Sequence, residues 1–258
     1  MMNMTETVKQ LIIINVIFFV GSQIIGEPAY QYLALHYFEN VNFKPWQIFS
    51  HMFMHGSPQR ELISSSLMHI VFNMFALYSF GSALEHFWGG KKFLFFYISC
   101  GLGSALLHTA VNYFSFHDGL NFLMENGYQK QEIISVLAEG KFDTRWQEVM
   151  GLNNFNGFLQ SYIVPVVGAS GAIYGLLVAF AFMFPNAELA LMFIPVPIKA
   201  KYFVPGLLMV DLFLGISGKS IFGGSSGIAH FAHIGGALVG FIMMWYWKKN
   251  QFNNNRWN

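Results

Sequence analysis

Long apolar runs alternate with short polar breaks along the chain, at intervals that suit helices crossing a membrane. Six runs stand out, at about 10–26, 66–84, 92–113, 168–184, 202–217 and 229–247. Each approaches the roughly 20 residues a helix needs to cross hydrocarbon, and the shorter ones imply a thin or locally irregular bundle. The prediction is all-α: a polytopic membrane protein in which residues 1–258 form one domain, a bundle of six transmembrane helices. The first run follows Lys9 and ends without a small-residue cleavage site, so it reads as a span and not a signal peptide. Six spans leave both termini on one side. Lys9, Lys91, Lys92, Lys199, Lys201, Lys248, Lys249 and Arg256 gather beside span ends on that side, which the positive-inside rule makes cytoplasmic.

Two connections are long. Residues 27–65 contain Trp46, Phe49, Met52, Phe53 and Met54, too apolar for a solvated loop, and are expected to lie partly in the interface. Residues 114–167 carry charges between Glu125 and Glu148. Within them a short amphipathic helix is predicted over Gln129–Ala138, with Ile133, Ile134 and Leu137 on one face. The apolar stretch Gly157–Val167, interrupted by Pro165, is expected to dip toward the bundle. Irregular backbone at that depth needs a protein-lined or water-filled cavity.

Composition narrows the function classes. Hydrophobic residues make up 54% of the chain and charged residues 10%, which fits lipid as the main surroundings. A net charge of +1 offers no basic surface for nucleic acid. The single cysteine, Cys100, excludes a disulfide framework and a cysteine-based metal site.

Polar groups inside spans are costly and point to function or to buried pairing. Pro165 disfavours helix at Val164, so the fourth span is predicted to begin near Gly168 or Ala169. Ser170 then stands in the first turn, where unpaired N–H groups and the positive helix end suit an oxyanion. His69 and Asn73 are four apart, on one face of the second span. They either donate into a common space or glue that span to another. His108 and Asn112 repeat the spacing near the end of the third span and read as structural. In the sixth span His233, Gly236, Ala237 and Gly240 share one side, with His230 at its edge. Gly171 and Gly175 offer a matching seam on the fourth, so close packing would bring His233 beside Ser170 and put Tyr174 against the imidazole. Asp211 is read as the partner of a span-end lysine or part of a helix junction, and not as a third catalytic residue.

Taken together these motifs resemble the rhomboid intramembrane serine proteases. The resemblance rests on His69-x-x-x-Asn73, Gly168-x-Ser170-Gly171 and Ala232-His233-x-x-Gly236, in that order and on the second, fourth and sixth spans. Phe53-Met54-His55-Gly56, Gly81-x-x-x-Glu85 and Trp88-Gly89 add to it. It implies Ser170 as nucleophile and His233 as general base, a dyad without a carboxylate. It places the oxyanion donors at His69, Asn73 and the backbone N–H of Ser170. Tyr174, Gly168 and Gly171 support the site, and no metal or other cofactor takes part. Two positions depart from the family pattern: Ser64 stands where many members carry a histidine five residues before His69, and Gln47 follows Trp46 where arginine is common.

The implied substrates are single-span membrane proteins, cut near the outer face, with the lipid bilayer as the other partner. Two alternatives stand beside this reading. One is a catalytically inactive relative that binds membrane clients. The other is a metal-binding membrane protein built on His51, His55, His69, His230 and His233, weakened by the absence of a His-Glu-x-x-His motif. Access to the site is expected to involve spans two and five or the glycine-rich loop 218–228. The compact six-span form, with no organelle-targeting stretch, leads to a bacterial cytoplasmic membrane as the expected location.

Overall fold

The computed structural model describes residues 3–56, 63–191, 194–217 and 228–251. The chain folds as a helical bundle with a second, smaller helical layer at one end. Helix α1 (Glu6–Ile25) has no side-chain cap from its own Thr5. A carboxylate from elsewhere takes that place. The first connection carries α2 (Glu27–Leu33) and α3 (Gln47–Ser50), and the second span comprises α4 (Ile63–Ala76), a π-helical turn over Leu77–Gly81 and α5 (Ser82–Trp88). Near its end, Glu85 accepts the N–H groups of Thr7 and Val8 at 3.0 and 2.9 Å and the hydroxyl of Thr5 at 2.5 Å. An anion at a helix start satisfies orphan donors and answers the dipole. Gly81 lets α1 come close, since a Cβ there would stand 2.9 Å from Val8 Cγ2. The Gly81-x-x-x-Glu85 spacing therefore clamps the first two spans together.

Helix α6 (Gly90–Glu125) has 36 residues, far more than the predicted 92–113. At 1.5 Å per residue it is about 54 Å long, against a hydrocarbon core of about 30 Å. Its final turns leave the membrane because they carry a buried stripe of their own: Phe116, Leu120 and Leu123 are covered by α7 (Lys130–Ala138), α8 (Thr144–Met150) and α9 (Leu152–Ile163). The amphipathic helix predicted over Gln129–Ala138 is α7, with Ile133 and Leu137 facing this cap. The first connection joins it too. Tyr37 packs at a tilt against Phe116 with ring centroids 5.4 Å apart, and Asn40 donates to the Tyr162 carbonyl at 2.8 Å.

Helix α10 (Ser170–Met183) follows, and then an antiparallel hairpin of β1 (Glu188–Leu191) and β2 (Ile194–Lys199) that periodicity did not signal. Helix α11 (Ala200–Ser217) lies on the periphery, with Ala200, Val204 and Asp211 as its buried residues. Helix α12 (Ile228–Gln251) packs between α6 and α10. Among the described residues four helical segments are individually long and apolar enough to span a membrane: α1, the α4–α5 segment, α6 and α11. Ile24, Leu106, Phe213 and Ile216 project outward from the bundle, a surface suited to lipid and not to water. Most of loop 218–228 lies outside the described residues.

Candidate active site

The chain approaches the site through a stretch of irregular backbone. Helix α9 stops at Ile163, and Val164 is extended (φ −91°, ψ 112°), as a residue before proline must be. Val166 then pairs with Leu35 through two backbone hydrogen bonds of 3.0 Å, which satisfy its N–H and carbonyl outside any helix. Gly168 turns the chain at φ +122°, a conformation that favours glycine, and donates its N–H to the His51 carbonyl at 2.9 Å. Helix α10 starts two residues later with Ser170 in its first position. The N–H groups of that turn have no partner within the helix.

His233, on α12, reaches this serine: Nε2 lies 2.9 Å from Ser170 Oγ. Its imidazole stacks on Tyr174 with centroids 4.2 Å apart and planes 10° from parallel. The approach depends on glycine. A Cβ on Gly236 would collide with the Gly171 carbonyl oxygen, and one on Gly240 would stand 2.8 Å from Gly175 Cα. The seam also involves a third helix that the sequence pattern did not show. Side chains added at Gly171 and Gly175 would meet Ser104 and Cys100 of α6.

On α4, His69 borders the space before the serine. The vacant Cβ position of Gly168 is 3.1 Å from His69 Nε2 and 3.5 Å from Ser170 Oγ. Asn73 is buried one turn further along and donates to the His69 carbonyl at 2.8 Å, which leaves its second N–H. His108 and Asn112 bond each other at 3.1 Å, away from this cluster.

Two residues named in the sequence meet the site in ways its pattern did not show. His55, from the first connection, packs edge-on against His69 with ring centroids 5.2 Å apart. Burial pushes the imidazoles of His51 and His55 down to about 4 and about 3. The second is Asp211. Instead of meeting a lysine, its carboxylate faces α12, where Oδ1 contacts His230 Nδ1 and lies 3.4 Å from His233 Nδ1. Sequence alone left Asp211 out because nothing in the α11 pattern fixes the rotation of that helix.

The five histidines weighed as a metal site do not gather at one point: His55 meets His69, and His230 meets His233. The ligand-sized group among the described residues is Asp211, His230 and His233, with donor atoms within 4.8 Å of one another. Within it, Asp211 Oδ1 contacts His230 Nδ1 and lies 3.4 Å from His233 Nδ1. The group is arranged as a carboxylate serving two imidazoles.

Fold and site define a class of helical membrane protein that holds a serine and a histidine in contact where two spans meet. The chain belongs to the Rhomboid family: the Rhomboid domain matches residues 42–121 and 132–250, and the interval between falls where α6 turns into α7. It is similar to Rhomboid protein 1, mitochondrial, of Saccharomyces cerevisiae (25% identical over 181 residues, 70% of this chain and 38% of that protein). It is also similar to the Presenilin-associated rhomboid-like protein, mitochondrial, of Bos taurus (26% over 182 residues, 70% and 34%). RHOMBOID-like protein 12, mitochondrial, of Arabidopsis thaliana is 26% identical over 227 residues, 81% of this chain and 56% of that protein. The chain thus spans about a third to a little over half of these relatives. They also overturn the expected bacterial cytoplasmic membrane, and with it the cytoplasmic label for the termini, since all are mitochondrial proteins. Span count and lysine placement are the same in any membrane of that thickness, so composition carried no information about the compartment.

Proposed function

We propose that this chain is an intramembrane serine endopeptidase of a mitochondrial membrane, acting on single-span membrane proteins. The observation that carries the reading is the 2.9 Å contact between Ser170 Oγ and His233 Nε2, at the start of a span and backed by the Tyr174 ring. Serine is a weak nucleophile until a neighbouring base takes its proton. In this reading His233 Nε2 accepts that proton as Oγ bonds the scissile carbonyl carbon, and the carbonyl oxygen becomes an oxyanion. The Ser170 N–H, His69 Nε2 and the remaining Asn73 N–H supply donors to it, each worth a few kcal/mol in a site closed to bulk water. Collapse breaks the C–N bond, the proton passes from Nε2 to the leaving amine, and water hydrolyses the acyl-enzyme.

The experiment uses purified protein in liposomes with a panel of single-span substrates. Ser170→Ala and His233→Ala are each expected to lower cleavage to background, a loss of about 10⁴-fold or more. A chelator should leave the parent rate unchanged. Cleavage that survives Ser170→Ala rules out the serine mechanism, and a parent inert on every substrate favours a client-binding relative.

A further inference from the structure

We propose that Asp211 is a positioning residue for His233, held in place by His230, so that the Ser–His pair works as a carboxylate-backed triad. This rests on the serine-protease reading above. An ionised carboxylate accepts hydrogen bonds and donates none. The contact of Asp211 Oδ1 with His233 Nδ1, at 3.4 Å, therefore places the ring proton on Nδ1. Nε2 is left with its lone pair, 2.9 Å from Ser170 Oγ, which is the tautomer a general base requires.

The surroundings fit that role. Asp211 is 5% exposed on a membrane-spanning helix, where a carboxylate is stable only with close partners. Two imidazole partners come from α12, three residues apart on one face, and both present Nδ1 to the same oxygen. His230 makes the shorter contact and fixes the carboxylate. Tyr174, whose ring carries the His233 imidazole, also turns its hydroxyl toward the Asp211 carboxylate, so α10 and α12 hold it together. The longer contact to His233 leaves room to shorten once the ring becomes an imidazolium, a tightening common in resting active sites. Through the cycle one proton moves from Ser170 Oγ to His233 Nε2 and on to the leaving amine. The Nδ1 proton stays on His233, and Asp211 is never protonated.

The test follows the reaction of Ser170 with a fluorophosphonate, as kinact and KI, beside the thermal unfolding midpoint. Asp211→Asn can turn an N–H toward Nδ1 and stabilise the wrong tautomer. It is expected to lower kinact about 100-fold with KI unchanged. Asp211→Glu, which restores an acceptor, should recover part of that loss. His230→Asn frees the carboxylate and is expected to lower kinact about tenfold, and it decides the matter if Asp211→Asn does not fold. The proposal is overturned if kinact in Asp211→Asn equals the parent value, or if kinact and the midpoint fall together without rescue by glutamate. With Asp211→Asn unfolded, an unchanged kinact in His230→Asn overturns it. A parent that does not label at Ser170 fails one step earlier, at the serine reading itself.

Discussion

The bundle seam and the outer cap are both tightly packed, but they are packed by opposite means. In the seam, α10 and α12 meet through Gly171, Gly175, Gly236 and Gly240, at distances that leave no room for a Cβ. In the cap, the filling is aromatic: Phe116 and Phe158 lie parallel with centroids 5.4 Å apart, and Trp146 and Tyr162 are each 1% exposed. Solvent explains the contrast. Between spans, an apolar side chain gains little by leaving lipid, so association relies on close backbone approach and dispersion. Outside the membrane, removing a Phe or Leu from water stabilises by about 1.5–3 kcal/mol, and large side chains are the efficient choice. Even the cap's glycine serves an aromatic ring, since a Cβ on Gly119 would stand 2.5 Å from Phe158.

The largest effect is expected where the seam has no slack. Gly236→Val would place its side chain on the Gly171 carbonyl and can be accommodated only by separating α10 from α12. The expected result is aggregated protein on size exclusion and no fluorophosphonate labelling at Ser170. A monodisperse, labelled variant would show that the seam can relax. Phe158→Ala should cost about 3–5 kcal/mol, the range for deleting a buried aromatic side chain. Because the cap forms its own cluster, protease nicking between residues 126 and 151 should rise while the bundle stays intact. Uniform unfolding of both layers would show that cap and bundle form one cooperative unit.

The smallest effect lies at the junction, where His51 holds Gly168 through its carbonyl and His55 leans on His69. Both histidines are neutral in the fold, with values held down at about 4 and about 3. As pH falls below about 6.5 the unfolded chain takes up protons that the native state refuses. Stability from this source is therefore complete above that pH and lost as pH falls from about 6.5 to about 4 for His51 and to about 3 for His55. For His51 the loss is about 3 kcal/mol at most. Unfolding midpoints measured from pH 7.5 to 4.5 should fall, and His51→Gln should flatten the slope. A slope unaffected by that substitution would place the titrating groups elsewhere.

Local pattern determined much of this protein without tertiary help. Apolar runs announced a helical membrane bundle, Pro165 and Gly168 set the start of α10, and helical periodicity put Gly236 and Gly240 on the face of His233. These are relations within one helix, fixed by 3.6 residues per turn. Relations between helices were of another kind. The four-residue spacing of His69 and Asn73 was visible, but not that Asn73 commits one N–H to its own helix. Glu85 capping α1, His55 reaching His69 across a connection, and α6 continuing into the cap all depend on how separate segments rotate and meet. Asp211 is the sharpest case. Its helix has a lipid-facing surface almost all round, so no apolar stripe announced which side turns inward. Only the packing of α11 against α12 decided that its carboxylate would face His230 and His233.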